Sequence, residues 1–320
     1  MKRSLVFLLA LFSTALFAQS FPSKPMRVLV PFPAGGTTDV VARLVGQRVS
    51  EQVGQPVLVE NRPGAGGTIA AAEVARAAPD GYTLLIHNIT FPIASVAAAL
   101  GNRATYNADT DFAGVSIAVY VPFVWTAHPS TVGKDLSETM KYLQKEKSVR
   151  YTYGSTGPGS TMHVLGEALS RAAGVEMTHV PFKGAAPLKQ DLIAGRINLG
   201  GDQLSTSLAD IKAGKLKALA TSASRRIAEL PDVPTVRELG YPVLEAEGWN
   251  GFFAPAKTPR EVLERLNREF AAAAKHPEVA KRLREMAAEP VGSPGAEQEA
   301  IFKRQMDQFR PVIKEMRIEG

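Results

Sequence analysis

The chain has 320 residues, a formal net charge of +6, 45% hydrophobic and 21% charged residues, and no cysteine. That composition excludes a disordered chain, and the missing cysteine excludes disulfides, zinc–thiolate sites and cysteine nucleophiles. The length suits one large or two ordinary domains, and the basic excess is too mild and scattered for a nucleic-acid partner.

The first residues, "MKR" and then "SLVFLLALFSTALFAQS", combine a basic start, an apolar stretch from Leu5 to Ala18 and a small residue at Ala18. This is the pattern of a secretory signal. The apolar stretch falls short of the ~18–20 residues that a membrane span needs. Residues 1–20 are therefore expected to be a signal peptide and the protein to be exported. Without a cysteine to carry lipid, it is expected to diffuse freely. Loss of Lys2 and Arg3 lowers the charge to +4, a balance that favours small anionic partners.

Beyond the signal, strands and helices alternate. "MRVLVP" reads as a buried strand, and a helix follows from about Thr38 to Val53 with Val40, Val41, Leu44, Val45 and Val49 on one face. "PVLVENRPGAGG" is a strand with a Gly-rich turn, "TIAAAEVARAA" a helix ended by "PDG", and "YTLLIHN" a third strand. The long stretch "HNITFPIASVAAALGNRATYNADTDF" reads as a loop after that strand. The middle repeats the theme: strand "VRYTYGS", turn "TGPGST", helix "MHVLGEALSRAAG", strand and turn "VEMTHVPFKG", helix "AAPLKQDLIAG", strands "RINLGGDQ" and "LKALATS". Such alternation predicts α/β architecture with mainly parallel sheets.

From Pro259 onward the chain reads as charged amphipathic helices, and Pro311 is expected to bend or divide the last one. "VSIAVYVPFVW" and "VLEAEGWNGFFAP" are candidate hinge crossings. The expected organisation is lobe 1 from 21–122 and 247–320, and lobe 2 from 123–246, with a cleft between them.

Two turns carry the candidate chemistry. "PFPAGGTTD" and "GSTGPGST" each follow a strand and open a helix, where free N–H groups and the helix dipole favour an anion. Thr37, Thr38, Ser155, Thr156, Ser160 and Thr161 add hydroxyl donors. Neither turn has the Lys of a phosphate loop or the G-x-G-x-x-G of a dinucleotide site. Neutral donors suit a carboxylate, and one turn per lobe would grip two ends of a dicarboxylate. Asp39 would repel such a ligand and is read as a stabiliser of the helix start. Asp202, Lys183, Asn88 and Thr90 fall at strand ends, where they serve equally as cleft residues or as turn residues. Phe32 is the expected apolar wall. Phe123 and Trp125 lie near the crossing, where Trp125 also suits the core.

A catalytic alternative rests on "YGSTG", which nearly makes a nucleophile elbow around Ser155, with His87, His163 and His179 available as partners. Tyr153 stands where the first Gly of that elbow belongs. No spacing of His and carboxylates suggests a metal, and the reading is of a binding protein with no cofactor, not an enzyme.

"FPSKPMRVLVPFPAGGTTDVVARL", "GQPVLVENRPGAGGTIAAAEVARAAPDGYTLL", "YGSTGPGSTMH", "HVPFKGAAP" and "LPDVPTVRELGYP" together resemble the tripartite tricarboxylate transporter receptors, the Bug family. The resemblance runs from about Phe21 to the C-terminus. It implies a monomeric periplasmic solute receptor of the type II-like two-lobed fold that closes on a small carboxylate and passes it to a membrane permease. A sensor receptor docking on a membrane signalling protein would share the same fold and ligand. Carried over by position, the ligand site comprises Phe32, Pro33, Ala34, Gly35, Gly36, Thr37, Thr38, Thr90, Ser155, Thr156, Ser160, Thr161 and Asp202. The sequence departs from the family after the third strand, at "GGDQ" and at "VPFVWTAHP", regions that shape the far end of the ligand.

Overall fold

Two βαβαβ units fix the topology in the computed structural model, which describes residues 21–146, 148 and 150–316. The expected signal peptide lies outside the described residues. In the first unit β1 (Met26–Val30) pairs in parallel with β2 (Val57–Asn61) and β3 (Thr83–Asn88), with α1 (Thr37–Val53) and α2 (Thr68–Ala75) as crossovers. β4 (Phe112–Tyr120), β10 (Trp249–Pro255) and the short β11 (Glu289–Pro290) complete the sheet in the order β11-β4-β10-β3-β1-β2. β10 runs antiparallel to both β3 and β4.

The second sheet repeats this plan. β6 (Tyr151–Ser155) pairs in parallel with β7 (Met177–Pro181) and β8 (Leu199–Gln203) around α5 (Thr161–Ala173) and α6 (Ala185–Ile193). β5 (Phe123–Ala127) enters antiparallel between β8 and β9 (Lys217–Thr221), giving the order β7-β6-β8-β5-β9. α4 (Leu136–Lys145) and α7 (Leu208–Lys212) fill the connections. The chain leaves the first sheet after Tyr120 and enters the second at Phe123. It returns through residues 222–248. The result is the expected two-lobed α/β fold, with Gly-rich turns at the carboxyl ends of the parallel strands, where such sheets bind ligands.

Periodicity located most helices. α1 buries Val41, Ala42, Val45 and Val49 and stops at Gly54, whose φ of 68° closes the turn without a Cβ penalty. α8 (Arg260–Lys275) and α9 (Pro277–Glu285) bury Leu266, Phe270, Val279 and Leu283. α8 packs over α1 and β4.

Two expectations need correction. The stretch after β3 is not a plain loop, because Thr90–Leu100 forms α3. Pro92 falls in the first turn, where its missing N–H costs nothing. The helix is apolar on nearly every side, so burial rather than amphipathic pattern holds it. It packs on α10 (Gly295–Met316), with the Phe91 and Phe302 rings 4.8 Å apart. The second correction concerns Pro311, which does not divide α10. Phe309 and Ile313, both 1% exposed, anchor the helix on either side, and that burial outweighs the lost hydrogen bond.

Candidate functional site

A cavity of about 290 Å³ opens between the two sheets. The β1–α1 turn supplies one wall: Phe32, Pro33, Ala34, Gly35, Gly36, Thr37 and Thr38 all line it. Asn88 and Thr90 come from the end of β3, Thr156 from the β6–α5 turn and Asp202 from the end of β8. Of the remaining wall the sequence reading had only Lys183, as one of two alternatives, and missed the rest. Lys183, Gly184 and Ala185–Pro187 bring the start of α6 to the cavity, and Lys189, Gln203, Ser205 and Thr206 complete it. "PFKGAAP" is itself a Gly-containing strand–turn–helix unit, so the signal was present.

Asp39 organises the first turn. It is 3% exposed, and its Oδ2 accepts from Gly35 N at 2.9 Å and Arg43 Nε at 3.1 Å. Its Oδ1 accepts from Asn61 Nδ2 at 2.9 Å, and Asn61 Nδ2 also donates to Phe32 O at 3.0 Å. Burial acts to raise the carboxyl pKa, but the hydrogen bonds from Arg43, Gly35 and Asn61 outweigh it and hold it below the usual value. The Gly35 N–H is thereby committed to Asp39. The first-turn N–H groups of α1 after Gly36 keep no intrahelical acceptor.

Three residues of the second turn stand apart from the cavity wall. Ser155 is fully buried; its Oγ lies 2.7 Å from His179 Nε2 and donates to Gly157 O at 3.0 Å. Ser160 is buried at the start of α5 with no partner for its Oγ. Thr161 Oγ1 pairs with Thr90 Oγ1 at 3.0 Å. The cause is the turn itself, which folds its serines inward and leaves Thr156 half-buried at the cavity wall. Phe123 and Trp125 belong to the core, at 2% and 0% exposure.

The Ser155–His179 pair has the spacing of a nucleophile and its base, but it sits behind the wall. His179 stacks on His163 with ring centroids 3.9 Å apart and on Tyr153 at 5.0 Å. Burial and the neighbouring His163 push the His179 pKa down to about 4. Tyr153 in turn donates to Glu167 Oε1 at 2.6 Å. The cluster braces the turn from below. His87 does the same for Phe32, whose ring it meets edge-on at 5.3 Å. It is fully buried, and burial pushes its pKa down to about 3.

Asp202 is the only acidic residue among the described residues that line the cavity. Burial pushes its pKa up to about 7, against weaker opposition from Gln203 N and the Thr206 hydroxyl. Lys189 is tied to Asp210 at 2.9 Å and to Thr206 O at 2.9 Å. Direct bonds cross between the sheets: Thr37 to Ser205 through their hydroxyls, Thr90 to Thr161, and Asn250 Nδ2 to Gln203 Oε1 at 3.2 Å.

Residues 41–318 match the family described as tripartite tricarboxylate transporter family receptor (TctC). The chain belongs to this family. It is 32% identical to Protein BugT of Bordetella pertussis over 93% of this chain and 91% of that protein. Among solved structures, it is similar to MatC of Rhodopseudomonas palustris with bound malate, at 34% identity and a TM-score of 0.84 over 92% of this chain and 100% of that one. An R. palustris protein with adipate is 33% identical with a TM-score of 0.83, over 93% of this chain and 99% of that one. The fold is shared with the periplasmic binding protein BugD, 33% identical with a TM-score of 0.84 over 93% of this chain and 99% of that one. Among the described residues, no helix is long and apolar enough to cross a membrane.

Proposed function

We propose that this TctC-family receptor captures a small carboxylic acid in the periplasm by closing two lobes on it, and delivers it to a membrane permease. The lobes are residues 21–122 with 247–320, and 123–246. The observation that carries this reading is the cavity wall. It combines the helix starts of α1 and α6 with the hydroxyls of Thr37 and Thr156 and the Lys183 ammonium, against a single carboxyl. Helix-start donors without a phosphate-loop Lys suit a carboxylate. Phe32 offers an apolar face for the carbon skeleton. Malate and adipate in two relatives support the same ligand class for this chain.

The bonds Thr37–Ser205 and Thr90–Thr161 join the lobes beside this wall. Closing therefore replaces water on both lobes at once, and ligand contacts to both favour the closed state. Ser155 serves the turn through Gly157 and His179 rather than facing a substrate, which favours a receptor over the hydrolase alternative.

A thermal-shift screen of mono-, di-, tricarboxylic and aromatic acids tests the reading. A ligand at about 100 times its dissociation constant adds about 2.7 kcal/mol of stability. At least one acid of the panel is expected to raise the melting temperature by several degrees, while neutral sugars do not. Shifts confined to sugars or amines would overturn the assignment.

A further inference from the structure

Gln203 ends β8 at the cavity wall. It is 1% exposed, and its Nε2 has no hydrogen-bond partner. Among the described residues lining the cavity, it alone carries such an orphaned buried side-chain donor. Leaving a buried amide donor unpaired is costly, so the position calls for an acceptor from outside the protein.

The two ends of a side-chain amide are told apart by the bonds they make. Here the assignment starts from a backbone N–H, which can only donate. Thr90 N donates to Asn88 Oδ1 at 2.9 Å. The other end of Asn88 is therefore its NH2, which donates to Thr38 Oγ1 at 3.4 Å. Thr38 spends its one hydroxyl proton on Asn250 Oδ1 at 2.7 Å. Asn250 Nδ2 then donates to Gln203 Oε1 at 3.2 Å. Each link leaves the next the complementary role, from the first sheet across to the second. Turning the Gln203 amide round would set two NH2 groups against each other. The relay thus ends on Gln203 Nε2, a buried donor without a partner on a residue of the cavity wall.

We propose that Gln203 is a specificity-determining residue, whose Nε2 donates to an acceptor oxygen carried by the ligand beyond its gripped carboxylate. Acids with a hydroxyl or a second carboxylate at that point satisfy it; acids with plain hydrocarbon there leave it unpaired. A site built to hydrogen-bond an oxygen rejects the analogue lacking it far more strongly than an apolar pocket sorts by size. Asn88, Thr38 and Asn250 are positioning residues that act through the amide they orient. This inference rests on the carboxylic-acid reading above.

Calorimetric titration with malate and with butyrate, both four-carbon acids, tests it. The wild type is expected to bind malate at least 100-fold more tightly than butyrate. Gln203→Leu is expected to shrink that ratio at least tenfold by weakening malate alone. Asn250→Asp, outside the cavity wall, presents only acceptors, turns the Gln203 amide round and shrinks the ratio to the same extent. The double variant shows no further loss. Unfolding of each ligand-free variant checks that it is folded. If the wild type binds both acids and both single variants keep its ratio, the role of Gln203 is overturned and the receptor reading stands. If the wild type binds neither malate nor any other carboxylic acid, both fall together.

Discussion

Replacing Asp202 by asparagine is expected to remove a pH dependence of ligand binding and to stabilise the ligand-free protein above pH 7. Burial holds the Asp202 pKa at about 7, well above the value of a free carboxyl. The sign follows from proton counting. Between about pH 4 and pH 7 the folded protein keeps a proton that the unfolded chain has lost. Stability of the wild type therefore falls as pH rises through this window and levels off above it. The cost at pH 8 is at most about 4 kcal/mol at 1.36 kcal/mol per unit, because the half-buried carboxyl keeps a face on the cavity. Asp202→Asn lacks this slope, and urea unfolding across pH 5–8 reads it directly.

Ligand binding follows the same proton. An anion entering the cavity favours the neutral carboxyl, so above pH 7 binding takes up a proton and affinity falls about tenfold per pH unit. Asp202→Asn should bind with a flat profile. A wild-type affinity that instead rises through pH 7 would mean that Asp202 meets a cationic group on the ligand.

Asp39→Ala carries the second large effect. It removes at once the acceptor of Gly35 N, of one Asn61 Nδ2 hydrogen and of the Arg43 guanidinium. Losing a buried, charged hydrogen-bond centre of this kind costs about 3 kcal/mol. The Asp39 pKa lies below its usual value, so its contribution is present above about pH 4 and disappears as pH falls toward the folded value. The deficit of Asp39→Ala should accordingly be constant from pH 5 to 8 and shrink in acid. Because the same bonds hold the turn from Phe32 to Thr38, affinity should fall at least tenfold. A variant as stable as the wild type at pH 7 would remove Asp39 from the turn's support.

Local pattern made α1 legible, and with it the reading of Asp39 as a helix-start stabiliser. Gly, Thr and Asp signals for that turn lie within eight residues, and the wild-type contacts from Gly35 and Arg43 are equally local. The third wall of the cavity was half legible: "PFKGAAP" shows the turn but not that it faces the same space as Phe32. α3 escaped because a helix apolar on nearly every side has no contrast between faces; only its packing on α10 holds it in place. The serines of the second turn failed for a related reason. Composition shows hydroxyls at Ser155 and Ser160 but not that the turn folds them toward His179 and the core. Gln203 was beyond the sequence altogether, since the direction of its amide depends on residues 47 to 165 positions away.

The carboxylate grip itself is the central claim, and removing the ligand's charge tests it most directly. Calorimetric titration at pH 6.5 with the best acid from the screen, and with its methyl ester at each carboxyl in turn, isolates that charge. The account predicts one site per chain and at least 100-fold weaker binding when the gripped carboxyl is esterified. Equal binding of the acid and of every ester would contradict it.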